Sequence, residues 1–73
     1  MLLIDVPSGQ RARITNYGDY KQRQKLLAMG LTPGRPFVLR IPGHSTNRVL
    51  DCEGCTIALN DAMARSIQVS ILN

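Results

Sequence analysis

Seventy-three residues make one small domain spanning 1–73, with no room for a cleft between two domains; at this length only about 60% of the unfolded chain's surface is buried on folding. Apolar residues at 44% and charged residues at 19% are ordinary for a globular fold and exclude a disordered tail. The formal net charge of +4 suits an acidic partner, nucleic acid or anionic lipid headgroups, and equally plain solubility.

The opening Met1-Leu2-Leu3-Ile4 run is too short for a signal peptide, and Asp5 and Pro7 follow at once. No stretch approaches the length that spans a bilayer. The expectation is a soluble, cytoplasmic protein without direct membrane insertion.

Leu2 to Val6 reads as a short extended segment laid over the core, and Pro7-Ser8-Gly9 as a turn. Arg11 to Thr15 alternates, with Ala12 and Ile14 on one side and Arg11, Arg13 and Thr15 on the other, the pattern of a half-exposed strand. Asp19 is placed as a helix N-cap, with Gln22 three residues on completing a capping box. Lys21 to Lys25 are good helix formers, and Leu26, Leu27 and Met29 supply a short apolar face. About three turns are marginal alone, so packing must hold this helix.

Gly30 follows the helical run where a left-handed C′ residue belongs, so Leu31 should pack back on Leu26 in a Schellman motif. Thr32-Pro33-Gly34 reads as a type II turn, proline setting φ and glycine supplying positive φ. Phe37, Leu39 and Ile41 then alternate inward. Pro42-Gly43-His44-Ser45-Thr46 forms a loop, and Arg48 to Cys52 a more weakly patterned strand. Glu53-Gly54 is a hairpin tip, Thr56 to Leu59 the returning strand, Asn60 the cap of a helical turn through Ala64, and Ser66 to Ile71 the last strand. The expected fold is mostly β: a small closed or partly closed barrel of about five short strands. One helix is inserted after the first strand and a helical turn precedes the last. Phe37, Leu50, Ile57 and Val69 are its expected core.

No catalytic constellation is present: there is no spaced carboxylate pair, no Ser–His–Asp order, no P-loop and no dinucleotide fingerprint, so no enzyme is expected and no cofactor. Cys52-x-x-Cys55 has the spacing of half a metal site or of a redox pair. With no second pair and with His44 the single histidine, the leading reading is a buried strand cysteine and an incidental surface thiol. A metal or redox site shared between subunits is the alternative.

The basic residues are more informative. Lys21, Arg23 and Lys25 lie on the helix and Arg11 and Arg13 on the outer face of the first strand, a set suited to an acidic partner if the faces adjoin. Tyr17 and Tyr20 are the aromatics available for a single-strand nucleic-acid platform, which makes nucleic acid the second reading. Leu27, Met29 and Leu31 are expected core residues that also offer an apolar contribution to a partner surface at the helix end, rimmed by Lys25 and Arg35. Self-association along the weakly patterned Arg48–Cys52 strand is also open.

Leu26-x-x-Met29-Gly30-Leu31-Thr32-Pro33-Gly34 resembles the signature of the FeoA family, the small cytoplasmic component of bacterial ferrous iron uptake. The resemblance takes in nearly the whole chain: Leu3, Pro7 and Gly9, Ala12 and Ile14, Phe37 to Arg40 with Pro42, then Gly54, Ile57-Ala58-Leu59, Ala64 and Ile67-x-Val69. The chain departs from the pattern at Asn60, at Met63, at Arg48 and around Gly43-His44-Ser45, and Cys52 and Cys55 lie outside it. The resemblance implies an SH3-like barrel and a non-enzymatic accessory protein. Its partner would be a FeoB-type ferrous iron transporter, met at the cytoplasmic face. Lys21, Arg23, Lys25, Leu27, Met29 and Leu31 are the docking residues expected here, with Gly30, Pro33 and Gly34 as the structural turn beside them.

Overall fold

The alternating segments form five strands, β1 (Arg11–Asn16), β2 (Phe37–Arg40), β3 (Arg48–Cys52), β4 (Cys55–Leu59) and β5 (Gln68–Ile71). Helix α1 (Tyr20–Ala28) stands between β1 and β2, and α2 (Asp61–Ala64) between β4 and β5. The structure, a computed structural model, describes residues 1–43 and 47–72; His44 and the middle of its loop therefore lie outside the described residues. All strand pairs are antiparallel in one sheet of order β4-β3-β2-β1-β5. This is the mostly β arrangement that the strand spacing predicts, and it is consistent with an SH3-like barrel.

Period-two alternation decides what lies inside. Ala12 and Ile14, Phe37 and Leu39, Leu50 and Cys52, and Ile57 and Leu59 are all buried, as are Ile67 and Val69 at the start of the last strand. Leu3, Val6, Leu26, Leu31 and Ala64 complete this core from the connecting segments. Each fully buried large aliphatic side chain contributes about 1.5–3 kcal/mol over its exposed state.

Three expectations are corrected by the packing. Leu2 to Val6 is not extended throughout: Leu3–Asp5 is a 3₁₀ turn. Three residues per turn puts positions i and i+3 on one side, so the turn buries Leu3 and Val6 together. Leu2 still bridges to Gln68, and Leu3 donates its N–H to the Ile67 carbonyl at 2.8 Å. Ile41 is exposed rather than inward, because the chain leaves the sheet before Pro42, and the Ile41 N–H goes to Ser8 Oγ at 3.1 Å. Finally, β3 is paired on both sides, by β2 and by β4, so Arg48–Cys52 has no free edge for self-association.

Candidate functional site

The helix-end corner forms as its residue types require. Asp19 caps α1 by accepting the Gln22 N–H at 2.7 Å. Only half of the capping box forms, since the Gln22 side chain turns away to Ser66 Oγ (3.0 Å) and to the Tyr17 carbonyl. At the other end Gly30 has φ of 101°, the Leu31 N–H reaches the Leu26 carbonyl and the Gly30 N–H the Leu27 carbonyl, both at 3.0 Å. These are the two bonds of a Schellman motif. The Arg35 N–H closes onto the Thr32 carbonyl at 3.1 Å with Gly34 at φ 79°, the expected type II turn.

The candidate docking residues divide among three places. A helix advances 100° per residue, so positions four apart share a face. Lys21, Lys25 and Met29 therefore form one exposed stripe, ending in Met29 with 44% of its surface in water. Arg23 and half-buried Leu27 form a second stripe on another flank. Leu31 belongs to neither: it is fully buried and can act on a partner only by holding the corner in place.

Electrostatics single out the first turn of α1. The N-terminal end of a helix carries partial positive charge and favours acids. Apart from the Asp19 cap, this turn holds no acidic residue, while Lys21 sits in it and Arg23 follows. Helix stability does not ask for cations there. Lys25, in the last turn, is placed where the dipole favours it.

Tyr17 was a candidate stacking aromatic, and the structure removes it from that role. It is buried and donates its hydroxyl to the Leu31 carbonyl at 2.8 Å. Burial pushes its phenol above the ordinary value, with the Arg23 charge pulling the other way. Tyr20 remains exposed, its hydroxyl accepting from Gln24 Nε2 at 2.6 Å.

Two features escaped sequence reasoning. Arg35, expected on the rim, instead turns inward: Nη1 donates to the Gly30 carbonyl at 2.7 Å and Nη2 to the Glu53 carbonyl. It therefore ties the helix-end corner to the β3–β4 hairpin tip. The second is the cysteine pair. Cys52 and Cys55 face each other as the last register pair of that hairpin, with Cα atoms 5.2 Å apart, and they are joined by a disulfide. The reading of two separate thiols is corrected: residues flanking a two-residue turn are directly opposite, which is within bonding reach. Among the described residues no group of three or more His, Cys, Asp and Glu side chains is placed to hold a metal ion. An open depression of about 410 Å³ lies beside the hairpin, lined by Arg11, Arg35, Asp51, Cys52 and Glu53 among others.

The FeoA domain family matches residues 1–71. The chain belongs to the FeoA domain family. Solved FeoA structures agree with this. The crystal structure of an iron uptake regulatory protein, FeoA, superposes with a TM-score of 0.80 at 26% identity, covering 99% of this chain and 97% of that one. The solution structure of the FeoA protein from Chlorobium tepidum gives 0.85 at 25% identity, covering 100% of this chain and 71% of that one. No curated protein matches the chain. Against this FeoA framework, the stretch from Leu26 to Gly34 is the helix stop and turn just described. Two departures from the FeoA pattern have local work. Asn60 caps α2 by accepting the Met63 N–H at 2.9 Å. Half-buried Arg48 places its guanidinium on Asp61 Oδ1 at 2.5 Å, across from β3 to α2, instead of leaving its charge in water. Among the described residues of this FeoA domain, no helix is long and apolar enough to cross a membrane.

Proposed function

We propose that this protein is a non-enzymatic accessory of ferrous iron uptake that docks in the cytoplasm on a FeoB-type transporter through the exposed stripe of α1. Family membership over residues 1–71 supports the process. The observation that carries the surface is the run Lys21, Lys25 and Met29 on one helical face. It places an exposed thioether at a rigid corner and a cation where the helix dipole disfavours one. Such a face suits an acidic surface with an apolar notch. Arg23 and Leu27 flank it, and Leu31, Gly30, Pro33 and Gly34 keep it rigid. The Tyr17 hydroxyl, committed to the Leu31 carbonyl, leaves nucleic acid without a second stacking ring.

Binding to the transporter's cytoplasmic domain tests the proposal, with wild type compared against Lys21→Glu/Lys25→Glu. The double reversal is expected to abolish capture while circular dichroism stays unchanged. Undiminished capture removes the stripe as the surface, and no capture by wild type removes the docking reading itself.

A further inference from the structure

We propose that the depression beside Cys52 is a thiol–disulfide exchange site for small carboxylate-bearing thiols, through which the Cys52–Cys55 bond opens and recloses. The inference stands on the hairpin and its surroundings, independently of any docking partner. Three observations carry it.

The bond is not needed to make the hairpin. Cys52 and Cys55 are already brought together by a β3–β4 ladder running back through Asp51↔Thr56, Leu50↔Ile57, Val49↔Ala58 and Arg48↔Leu59. A cross-link that closes so short a loop removes little freedom from the unfolded chain. Opening it therefore leaves the fold standing, which is what a reversible covalent site requires.

The bond also borders open space. Cys52, buried though it is, lines the open depression, and Cys55 on the other strand is only half-buried. Arg11, from β1, and Arg35 share that depression with Cys52. Their charges complement the carboxylates of an approaching peptide thiol, while Asp51 and Glu53 offer acceptors for its ammonium. A neutral thiol gains nothing from these groups.

The step balances without any further oxidant. A thiolate RS⁻ attacks Cys52 Sγ, forming a Cys52–S–S–R bond as the Cys52–Cys55 bond breaks, and the electron pair leaves on Cys55 as a thiolate. A second RS⁻ attacks the R-bearing sulfur, giving RSSR and releasing the Cys52 thiolate. Two RSH are oxidised to one RSSR, and the protein disulfide takes up two electrons and two protons. Oxidised RSSR runs the sequence backwards.

The third observation is where the freed sulfur lies. A Cβ built on Gly30 stands 4.0 Å from Cys55 Sγ and 3.5 Å from Arg35 Nη1. Cys55 thus borders the helix-end corner. Arg35 holds both the Gly30 and Glu53 carbonyls, so a change at the hairpin tip reaches the residue next to Met29.

Reduction rates with glutathione and with neutral 2-mercaptoethanol, followed by alkylation and mass spectrometry, test the site on the full chain. Wild type is expected to recover its disulfide in oxidised glutathione. Arg11→Glu is expected to slow glutathione exchange several-fold while leaving the 2-mercaptoethanol rate unchanged. Cys55→Ser is expected to hold glutathione as a mixed disulfide on Cys52. Two fully alkylated thiols in wild type after oxidised glutathione, or an equal effect of Arg11→Glu on both reductants, overturns the proposal.

Discussion

Gly30→Ala isolates the backbone requirement at the helix end. The position holds φ of 101°, where an L-residue costs about 1–3 kcal/mol. Alanine recovers about 0.4–1 kcal/mol by narrowing the unfolded ensemble. Sterics add little, since the new Cβ meets Arg35 Nη1 at 3.5 Å and Cys55 Sγ at 4.0 Å, both ordinary contacts. Taken at mid-range, the two leave a net loss of about 1.3 kcal/mol, a fall in Tm of roughly 5–10 °C for a domain of this size. Urea unfolding at fixed redox state measures it, with an unchanged slope confirming that only stability moved. Gly18→Ala is the companion variant. It carries the same kind of strain at φ 91°, but its Cβ lands 2.8 Å from Gln22 Nε2 and 3.0 Å from the Ser66 carbonyl. It must also displace the amide that serves the Tyr17 carbonyl, so its loss exceeds that of Gly30→Ala by about 1 kcal/mol or more. A Gly30→Ala protein within about 0.5 kcal/mol of wild type refutes the cap argument; equal losses at the two glycines refute the role given to space.

Other outcomes separate the corner's support from its surface. Leu31→Ala empties a fully buried site and should cost about 2–5 kcal/mol in urea unfolding, whereas Met29→Ala, at an exposed site, should stay within about 0.5 kcal/mol and weaken transporter capture. Tyr17→Phe leaves the Leu31 carbonyl without its hydroxyl donor and should cost about 1–2 kcal/mol at neutral pH. Because burial raises the Tyr17 phenol, the folded state holds that proton more tightly than the unfolded one. This contribution is complete below the unfolded value near pH 10 and is lost as pH rises through the folded one. A stability–pH series should accordingly fall above about pH 10 in wild type and flatten there in Tyr17→Phe.

What the sequence makes legible here is local chemistry. Gly30 and the Thr32-Pro33-Gly34 turn are readable because only a few residue types tolerate those dihedrals. Asn60 and Asp19 are readable as caps for a similar reason, and the inward rows of β2 to β4 follow from alternation. What stays hidden depends on partners distant in sequence. Tyr17 looks like a surface candidate until α1 is laid on the sheet, when its hydroxyl donates to the carbonyl of Leu31, whose packing on Leu26 the helix-end pattern already implies. Arg35 is an ordinary cation in the sequence, yet its guanidinium meets two carbonyls, one of them 18 positions away. The division of Lys21, Arg23 and Lys25 between two flanks was available from helical geometry alone. The disulfide was available too, once Glu53-Gly54 was taken as a two-residue turn with Cys52 and Cys55 opposite each other.

The sheet order also sets a timetable. β1 forms early in synthesis, but one of its two neighbours is β5, and the first residues lean on that same strand, the Val69 N–H donating to the Met1 carbonyl at 2.8 Å. A nascent chain leaving the ribosome therefore carries β1 with one side open until nearly everything else has emerged. At 5–20 residues per second that interval is roughly 3–11 s. During it the Ala12 and Ile14 row is exposed to strand pairing with other chains, so the outward arginines at positions 11 and 13, which repel a like-charged copy, protect the protein before it is folded.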